Sequence, residues 1–150
     1  MQKTYLCIDL KSFYASVECV ELGLDPFEVN LVVADPTRGG GAITLAATPA
    51  IKKLGVPSRG RIFEIDPKIE YMIAPPRMHL YMEYSCKVYK VFLEFIAKED
   101  IHVYSIDESF LDITSYLKLY QVTAKELAKK MRSEEHTSEL QSLSRISYAV

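Results

Sequence analysis

The sequence predicts a mixed α/β fold of the α+β kind, on three observations. Thr4-Tyr5-Leu6-Cys7-Ile8 is a short apolar run that stops at Asp9, and in the segment after it Phe13, Val17 and Val20 fall at the i, i+4, i+7 spacing of a helix. His102 to Ile106 and Phe110 to Ile113 read as two strands of a hairpin with Asp107-Glu108 at the turn between them. Tyr84, Val88, Val91, Phe92 and Phe95 form an apolar stripe at helical spacing, which marks the longest helix, Met78 to about Ala97.

The remaining elements follow in order. Lys3 to Asp9 is the first strand and Ser12 to about Glu21 the first helix, with Ser12 a candidate cap and Gly23 its stop. Asp25-Pro26-Phe27 is a turn, and Asn30 to Ala34 a short buried strand. Asp35 to Gly41 is a loop whose three consecutive glycines permit close approach to a ligand, but such a run is weak evidence for phosphate binding and a plain hairpin loop is the first reading. Ala42 to Ala47 reads as a strand and Pro49 to Leu54 as a short helix, opened by Pro49 and stopped by Gly55. Gly55 to Ile65 is loop then strand, and Pro75-Pro76 separates it from the long helix. Lys98-Glu99-Asp100 leads into the acidic hairpin, and Thr123-Ala124-Lys125-Glu126 is a capping box opening a last helix.

A chain of 150 residues, 49% hydrophobic and 25% charged, can bury a real core, which sets disordered and fibrous classes aside. No apolar run approaches the ~20 residues of a membrane span, and the first residues hold too short a stretch for a signal peptide. The cysteines Cys7, Cys19 and Cys86 are odd in number and lack metal-ligand spacing, so reduced core residues of a cytoplasmic protein are expected. A net charge of −2 argues against a globally basic nucleic-acid binder. Between Arg38 and Arg77, however, seven basic residues stand against three acids, so that segment is locally positive.

Asp107 and Glu108 are adjacent like charges, which a fold retains most easily where something positive comes to them. Asp9 stands at the carboxyl end of the first strand, where ligands gather in α/β sheets. If that strand lies beside the hairpin, three carboxylates converge, which suits Mg²⁺ and a two-metal displacement at phosphorus. A solvated acidic turn is the plain alternative.

The stretches IDLKSFYASVE (Ile8 to Glu18) and YSIDESFLDIT (Tyr104 to Thr114) resemble the two signature motifs of the Y-family, UmuC/DinB-type translesion DNA polymerases, and are most similar to the Gram-positive UmuC-like branch. The resemblance covers roughly Lys3 to Met131, the amino-terminal third of such an enzyme. It implies a palm made of residues 1–10 and 79–131, incomplete at its carboxyl end, with a small fingers domain, 11–78, inserted. It implies template-directed deoxynucleotidyl transfer in the DNA damage (SOS) response, with primer-template DNA and deoxynucleoside triphosphates as partners, a sliding clamp reached through the missing carboxyl region, and no membrane. Asp9 and Asp107 would bridge two Mg²⁺ ions, Glu108 would hold the ion at the primer hydroxyl, and the Leu10 carbonyl would assist at the triphosphate ion. Tyr14, beside Phe13, takes the steric-gate position that excludes a 2′-hydroxyl. Lys52 takes a triphosphate-binding position. Many members carry a tyrosine three residues before it; Pro49 stands there instead, so Thr48 is the candidate for that contact. Lys11 stands where many relatives carry an acid. Arg59 and Arg61 are candidates for template phosphate. A fragment lacking the thumb and the DNA-gripping domain is expected to bind DNA poorly and to have little activity. Two other readings share these residues: a non-catalytic accessory module of the damage response, and another metal-dependent palm enzyme such as a nucleotidyl cyclase.

Residues 132–150 read differently. Arg132 to Ser142 matches a frame translation of a common sequencing-library adapter, and Ile146 to Val150 fits the constant block after an index. These nineteen residues are expected to be non-native and disordered.

Overall fold

The computed structural model describes residues 3–10, 12–133 and 146–149. In chain order its elements are β1 (Tyr5–Leu10), α1 (Phe13–Glu21), β2 (Leu31–Val33), β3 (Ala46–Ala47), α2 (Pro49–Lys52), β4 (Met72–Ala74), α3 (Met78–Leu93), β5 (Ile101–Val103), β6 (Glu108–Asp112), α4 (Thr114–Leu119), α5 (Ala124–Ser133) and β7 (Ile146–Ala149). The chain divides into two compact units, Met1–Lys11 with Met82–Val150, and Ser12–Tyr81.

The first unit is built on a sheet of order β5-β6-β1-β7 in which every neighbouring pair is antiparallel. Period-2 alternation decides its faces. Leu6, Ile8 and Leu10 of β1 are buried together with Ser109 and Leu111 of β6, and the register sets Ile8 opposite Ser109 and Leu6 opposite Leu111. Helix α3 crosses the hairpin end of that face. Its Ser85 hydroxyl donates to the Ile106 carbonyl at 2.6 Å, and Val88 and Phe92 line an apolar cavity of about 180 Å³ with Ile8, Leu10 and Ile106. Helix α5 contributes the buried residues Leu127, Ala128 and Met131. Its capping box is present: the Thr123 hydroxyl oxygen accepts from the Glu126 N–H, and the hydroxyl donates to the Glu126 carboxylate, both at 3.2 Å.

Several boundaries differ from expectation. Helix α3 stops at Leu93 rather than near Ala97, because the Glu94 and Phe95 N–H groups turn to the i−3 carbonyls of Val91 and Phe92. The apolar spacing continues past the stop, since Ile96 is buried, and so concealed it. In the hairpin, β5 ends at Val103, and Glu108 opens β6 instead of sitting at the turn. The loop between them closes through the Tyr104 and Ser105 N–H groups, which donate to the Glu108 carbonyl at 3.0 and 3.1 Å. Helix α4 was not expected. The Asp112 carboxylate starts it by accepting from the Thr114 N–H and hydroxyl, and these bonds hold Asp112 below the usual carboxylate range. Of residues 132–150, the structure describes 132–133 and 146–149. Helix α5 runs to Ser133, and Ile146–Ala149 pairs antiparallel with β1, Cys7 opposite Ala149. An alternating Ile-Ser-Tyr-Ala segment meets an open strand edge there. Residues 134–145 and Val150 lie outside the described residues.

The second unit holds a sheet of order β3-β2-β4, with β2–β3 antiparallel and β2–β4 parallel. Val32, Ala47, Ile51, Val56 and Ile65 form its core, with Ile62, Ile69 and Tyr71 packed against them. Helix α1 packs on β2 and β3. It ends in a Schellman motif: Gly23 takes φ 70°, and the Leu24 and Gly23 N–H groups return to the carbonyls of Cys19 and Val20. Ser12 is not a side-chain cap. It is left-handed (φ 53°, ψ 38°), its Oγ is buried without a hydrogen-bond partner, and its carbonyl accepts the Ser16 N–H. A non-glycine residue held there is strained. The expected strand Ala42–Ala47 contracts to β3, with Ile43 forming one isolated bridge to Arg61, and Ile62–Glu64 is a 3₁₀ turn rather than a strand. Strand β4, an exposed parallel edge, was not foreseen. Among the described residues no helix is long and apolar enough to cross a membrane.

Cys19 lies fully buried in α1, and burial, with the charges of Asp25 and Glu18 added, pushes its thiol up to about 11 from 9.0. The folded state therefore resists losing that proton, and this stability is intact below pH 9.0 and lost as the pH climbs to about 11. Urea midpoints of the chain are expected to fall across that window, by about 2 kcal/mol. Cys19→Ala should lessen the fall between pH 9 and 10, leaving the smaller part due to Cys7, whose thiol is also raised; an unchanged slope there overturns the assignment. Above pH 10 a residual decline should persist, because Tyr81 is also raised, first by burial and then by its bond to Glu18.

Candidate functional site

The acids meet because of register. Asp9 is directly opposite Glu108 in the β1–β6 pair, with Cys7 opposite Phe110 on the same face. Directly opposed residues have Cβ atoms about 5 Å apart, so the two carboxylates share one small area of sheet. That face is the reverse of the one bearing Leu6, Ile8 and Leu10. Asp107 immediately precedes Glu108. Its carbonyl accepts the Leu10 N–H at 2.9 Å, and its carboxylate accepts from the Ser105 hydroxyl at 3.0 Å. The Leu10–Asp107 bond ties the end of β1 to the hairpin loop, so the Asp107 backbone adjoins Leu10 while Asp9 and Glu108 face each other across the pair. All three acids are half-buried. Cys7 reports the resulting potential: its thiol is raised by burial first and then by the negative charges of Glu108 and Asp9.

The donor set is all oxygen and anionic, which is the chemistry Mg²⁺ takes. It is not a closed cage, since among the described residues no three His, Cys, Asp or Glu side chains are gathered closely enough to hold a metal by themselves. Mg²⁺ does not require one, because it is commonly held by one or two carboxylates with waters and substrate phosphates completing the octahedron. The residues therefore fit the ion as an open site. The apolar cavity under α3 is a separate feature, reached by Asp107 but lined mainly by residues of the opposite face.

The other candidates belong to the second unit. Phe13 is buried core, while Tyr14 is half-buried with its ring stacked on Tyr81, centroids 4.5 Å apart and planes at 12°. Thr48 is fully buried, and its Oγ accepts from the Leu31 N–H at 3.1 Å and the Ile51 N–H at 3.5 Å. It is thus the cap of α2, and the hydroxyl expected to touch phosphate is occupied inside the fold. Lys52 is the last residue of α2 and half-buried. Arg59 is exposed, and Arg61 is exposed with its guanidinium donating to the Gly41 carbonyl at 2.6 Å. Arg77, counted among the local basic residues, is committed to an ion pair with Glu18. Lys11 lies outside the described residues. Sequence reasoning missed Glu18 and Tyr81, whose signal was the i, i+4 spacing of Glu18 from Tyr14 and of Tyr81 from Arg77.

Comparison with known proteins agrees with this architecture. Residues 8–141 match the model of the impB/mucB/samB family. The putative UV-damage repair protein UvrX of Bacillus subtilis is 46% identical over 114 residues, 74% of this chain and 27% of UvrX. The DNA repair protein homolog YozK of the same organism is 42% identical over 109 residues, 71% of this chain and 93% of YozK. DNA polymerase IV 2 of that organism is 36% identical over 135 residues, 87% of this chain but 31% of the polymerase. The solved structure of DinB from Sulfolobus solfataricus superimposes with a TM-score of 0.70 at 25% identity, covering 96% of this chain and 40% of that one. A Y-family DNA polymerase chimera gives a TM-score of 0.73 at 24% identity, again over 96% of this chain and 40% of its own. The class is that of the Y-family DNA polymerase fold. The chain belongs to the impB/mucB/samB family, and it spans under a third of the length of UvrX and of DNA polymerase IV 2.

Proposed function

We propose that the chain is the catalytic palm and fingers portion of an error-prone translesion DNA polymerase that works in DNA repair. The observation that carries this is the register that sets Asp9 opposite Glu108 with Asp107 adjoining. The relatives' names, a UV-damage repair protein and a DNA polymerase IV, support it. In this reading the unit containing β1 and the hairpin is a partial palm and Ser12–Tyr81 is the fingers. Two Mg²⁺ ions would be held by Asp9 and Asp107, with Glu108 and the Leu10 carbonyl assisting; bound there, they supply charge stabilisation for phosphoryl transfer. This chain's own residues orient the reactants. Tyr14 lies under the sugar of the incoming deoxynucleoside triphosphate, Lys52 offers a point charge to its phosphates, and Arg59 and Arg61 face template phosphate. Thr48 and Phe13 hold that surface rather than form it. The working complex would contain primer-template DNA; a structure titled the insertion ternary complex of Dbh DNA polymerase shares the fold. A sliding clamp would be a further partner, and the cytoplasm its location.

Calorimetric titration of the chain with dATP in Mg²⁺ and in EDTA tests this. Binding in Mg²⁺ that disappears in EDTA and in Asp107→Ala is expected, together with no primer extension by the 150-residue chain, which spans under a third of DNA polymerase IV 2. Nucleotide binding indifferent to both Mg²⁺ and Asp107 would sink the catalytic assignment. The accessory-module reading has one observation in its favour, that YozK is covered over 93% of its length and so is a relative of similar size. Failure to bind Mg²⁺ would move that reading ahead.

A further inference from the structure

A polar cluster with a buried carboxylate at its centre underlies Tyr14. On α1, Tyr14 and Glu18 are one turn apart and therefore share a face. At the start of α3, Arg77 and Tyr81 stand in the same relation, with the Tyr81 N–H bonded to the Arg77 carbonyl. The pairs interlock. Glu18 is 3% exposed, yet its carboxylate accepts Arg77 Nε at 3.1 Å and the Tyr81 hydroxyl at 2.6 Å on one oxygen, and Arg77 Nη2 on the other. Tyr81 has no exposed surface, and its ring is the floor on which Tyr14 lies in near-parallel contact.

The ion pair adds little stability, because Arg77 is about half exposed (49%) and solvent screens the charge it brings to the buried Glu18. What such a pair offers is a fixed geometry. The Arg77 fork fixes Glu18, Glu18 fixes the Tyr81 hydroxyl, and the Tyr81 plane fixes the tilt of Tyr14. Phe13, at 6.0 Å and 54°, touches Tyr14 obliquely and cannot define its plane alone.

We propose that Glu18, Arg77 and Tyr81 are positioning residues that set the plane of the Tyr14 ring, and that this plane determines how strictly a 2′-hydroxyl is excluded. The first half stands on geometry; the second rests on the reading of Tyr14 as the sugar-contacting residue given above.

The test uses the 150-residue chain with ¹³C-labelled tyrosine rings, the Tyr14 signals being assigned by their loss in Tyr14→Phe. Tyr81→Phe keeps the stacking ring and the Glu18–Arg77 pair and removes only the hydroxyl. Glu18→Gln keeps an acceptor for that hydroxyl and removes the charge. Shielding of the Tyr14 ring by the Tyr81 face is expected in the wild type, with the Tyr14 signals moving toward exposed-tyrosine positions in both variants. Signals unmoved in both overturn the positioning inference. A second arm measures Kd for dATP and ATP in Mg²⁺. The dATP preference is expected to fall about tenfold in the variants, through tighter ATP binding at an unchanged dATP Kd. A purely structural defect weakens both nucleotides together and refutes the selectivity half. A wild-type chain with no dATP preference refutes the sugar-contact reading itself, and the ring signals then judge the positioning half alone.

Discussion

Asp9→Asn is expected to weaken Mg²⁺ binding by about 100-fold, the upper end of what a metal site loses even with an outer-shell partner, while leaving the metal-free chain as stable as before or more so. The two halves have one cause. Asp9 and Glu108 are directly opposite on one sheet face, and like charges in that relation repel. Neutralising either should raise the apo urea midpoint by an amount worth about 0.5 kcal/mol, the scale of a cross-strand charge pair. Glu108→Gln should do the same. Asp107→Asn should lose metal equally, with no such gain, because its carboxylate accepts the Ser105 hydroxyl rather than facing an acid across the pair. A site whose removal stabilises the fold is the signature of residues retained for function at a cost in stability. Mg²⁺ titrations followed by calorimetry, with urea melts in EDTA, measure both quantities. Unchanged Mg²⁺ affinity in Asp9→Asn removes the metal site; a lower apo midpoint shows instead that Asp9 is structural.

Much of this site was legible in the sequence because it depends on local rules. A strand ending in Asp9 and a hairpin carrying Asp107-Glu108 converge once the two strands pair, and period-2 alternation then puts Asp9 and Glu108 on one face. The offset of Glu108 from turn to strand was not legible, since hairpin register is fixed by the loop bonds from Tyr104 and Ser105 to the Glu108 carbonyl. The cluster beneath Tyr14 was hidden for a different reason. Arg77 and Tyr81 lie 59 and 63 residues from Glu18, and only tertiary folding discloses which buried carboxylate a surface-looking arginine will meet. Ser12 shows the opposite failure. Its residue type suits a cap, but its own backbone is left-handed and its Oγ is buried without a hydrogen-bond partner. The tail was read as adapter-derived and left out of the fold, so the pairing of 146–149 with β1 was not foreseen.

Thr48→Val is expected to cost about 2–3 kcal/mol, more than its small change in shape suggests, because it leaves two buried backbone donors without an acceptor. Helix α2 has four residues, too few to stand unsupported, and Pro49 at its first position has no N–H to give. The Thr48 hydroxyl oxygen accepts from the Ile51 N–H, ending the helix's orphan donors, and from the Leu31 N–H. The Thr48 N–H donates in return to the Leu31 carbonyl at 2.9 Å, so one residue joins α2 to β2 in both directions. Thr48→Ser keeps the oxygen and loses one methyl group, for a cost of about 0.8 kcal/mol. Lys52 ends this helix, so its place depends on the cap. If Thr48 acts through the helix, dATP binding and urea stability should fall together in Thr48→Val, the binding loss should match that of Lys52→Ala, and Thr48→Ser should restore both. If Thr48 instead touches phosphate itself, Thr48→Val should lose binding with stability intact. The buried hydroxyl, already bonded on two sides, favours the first result.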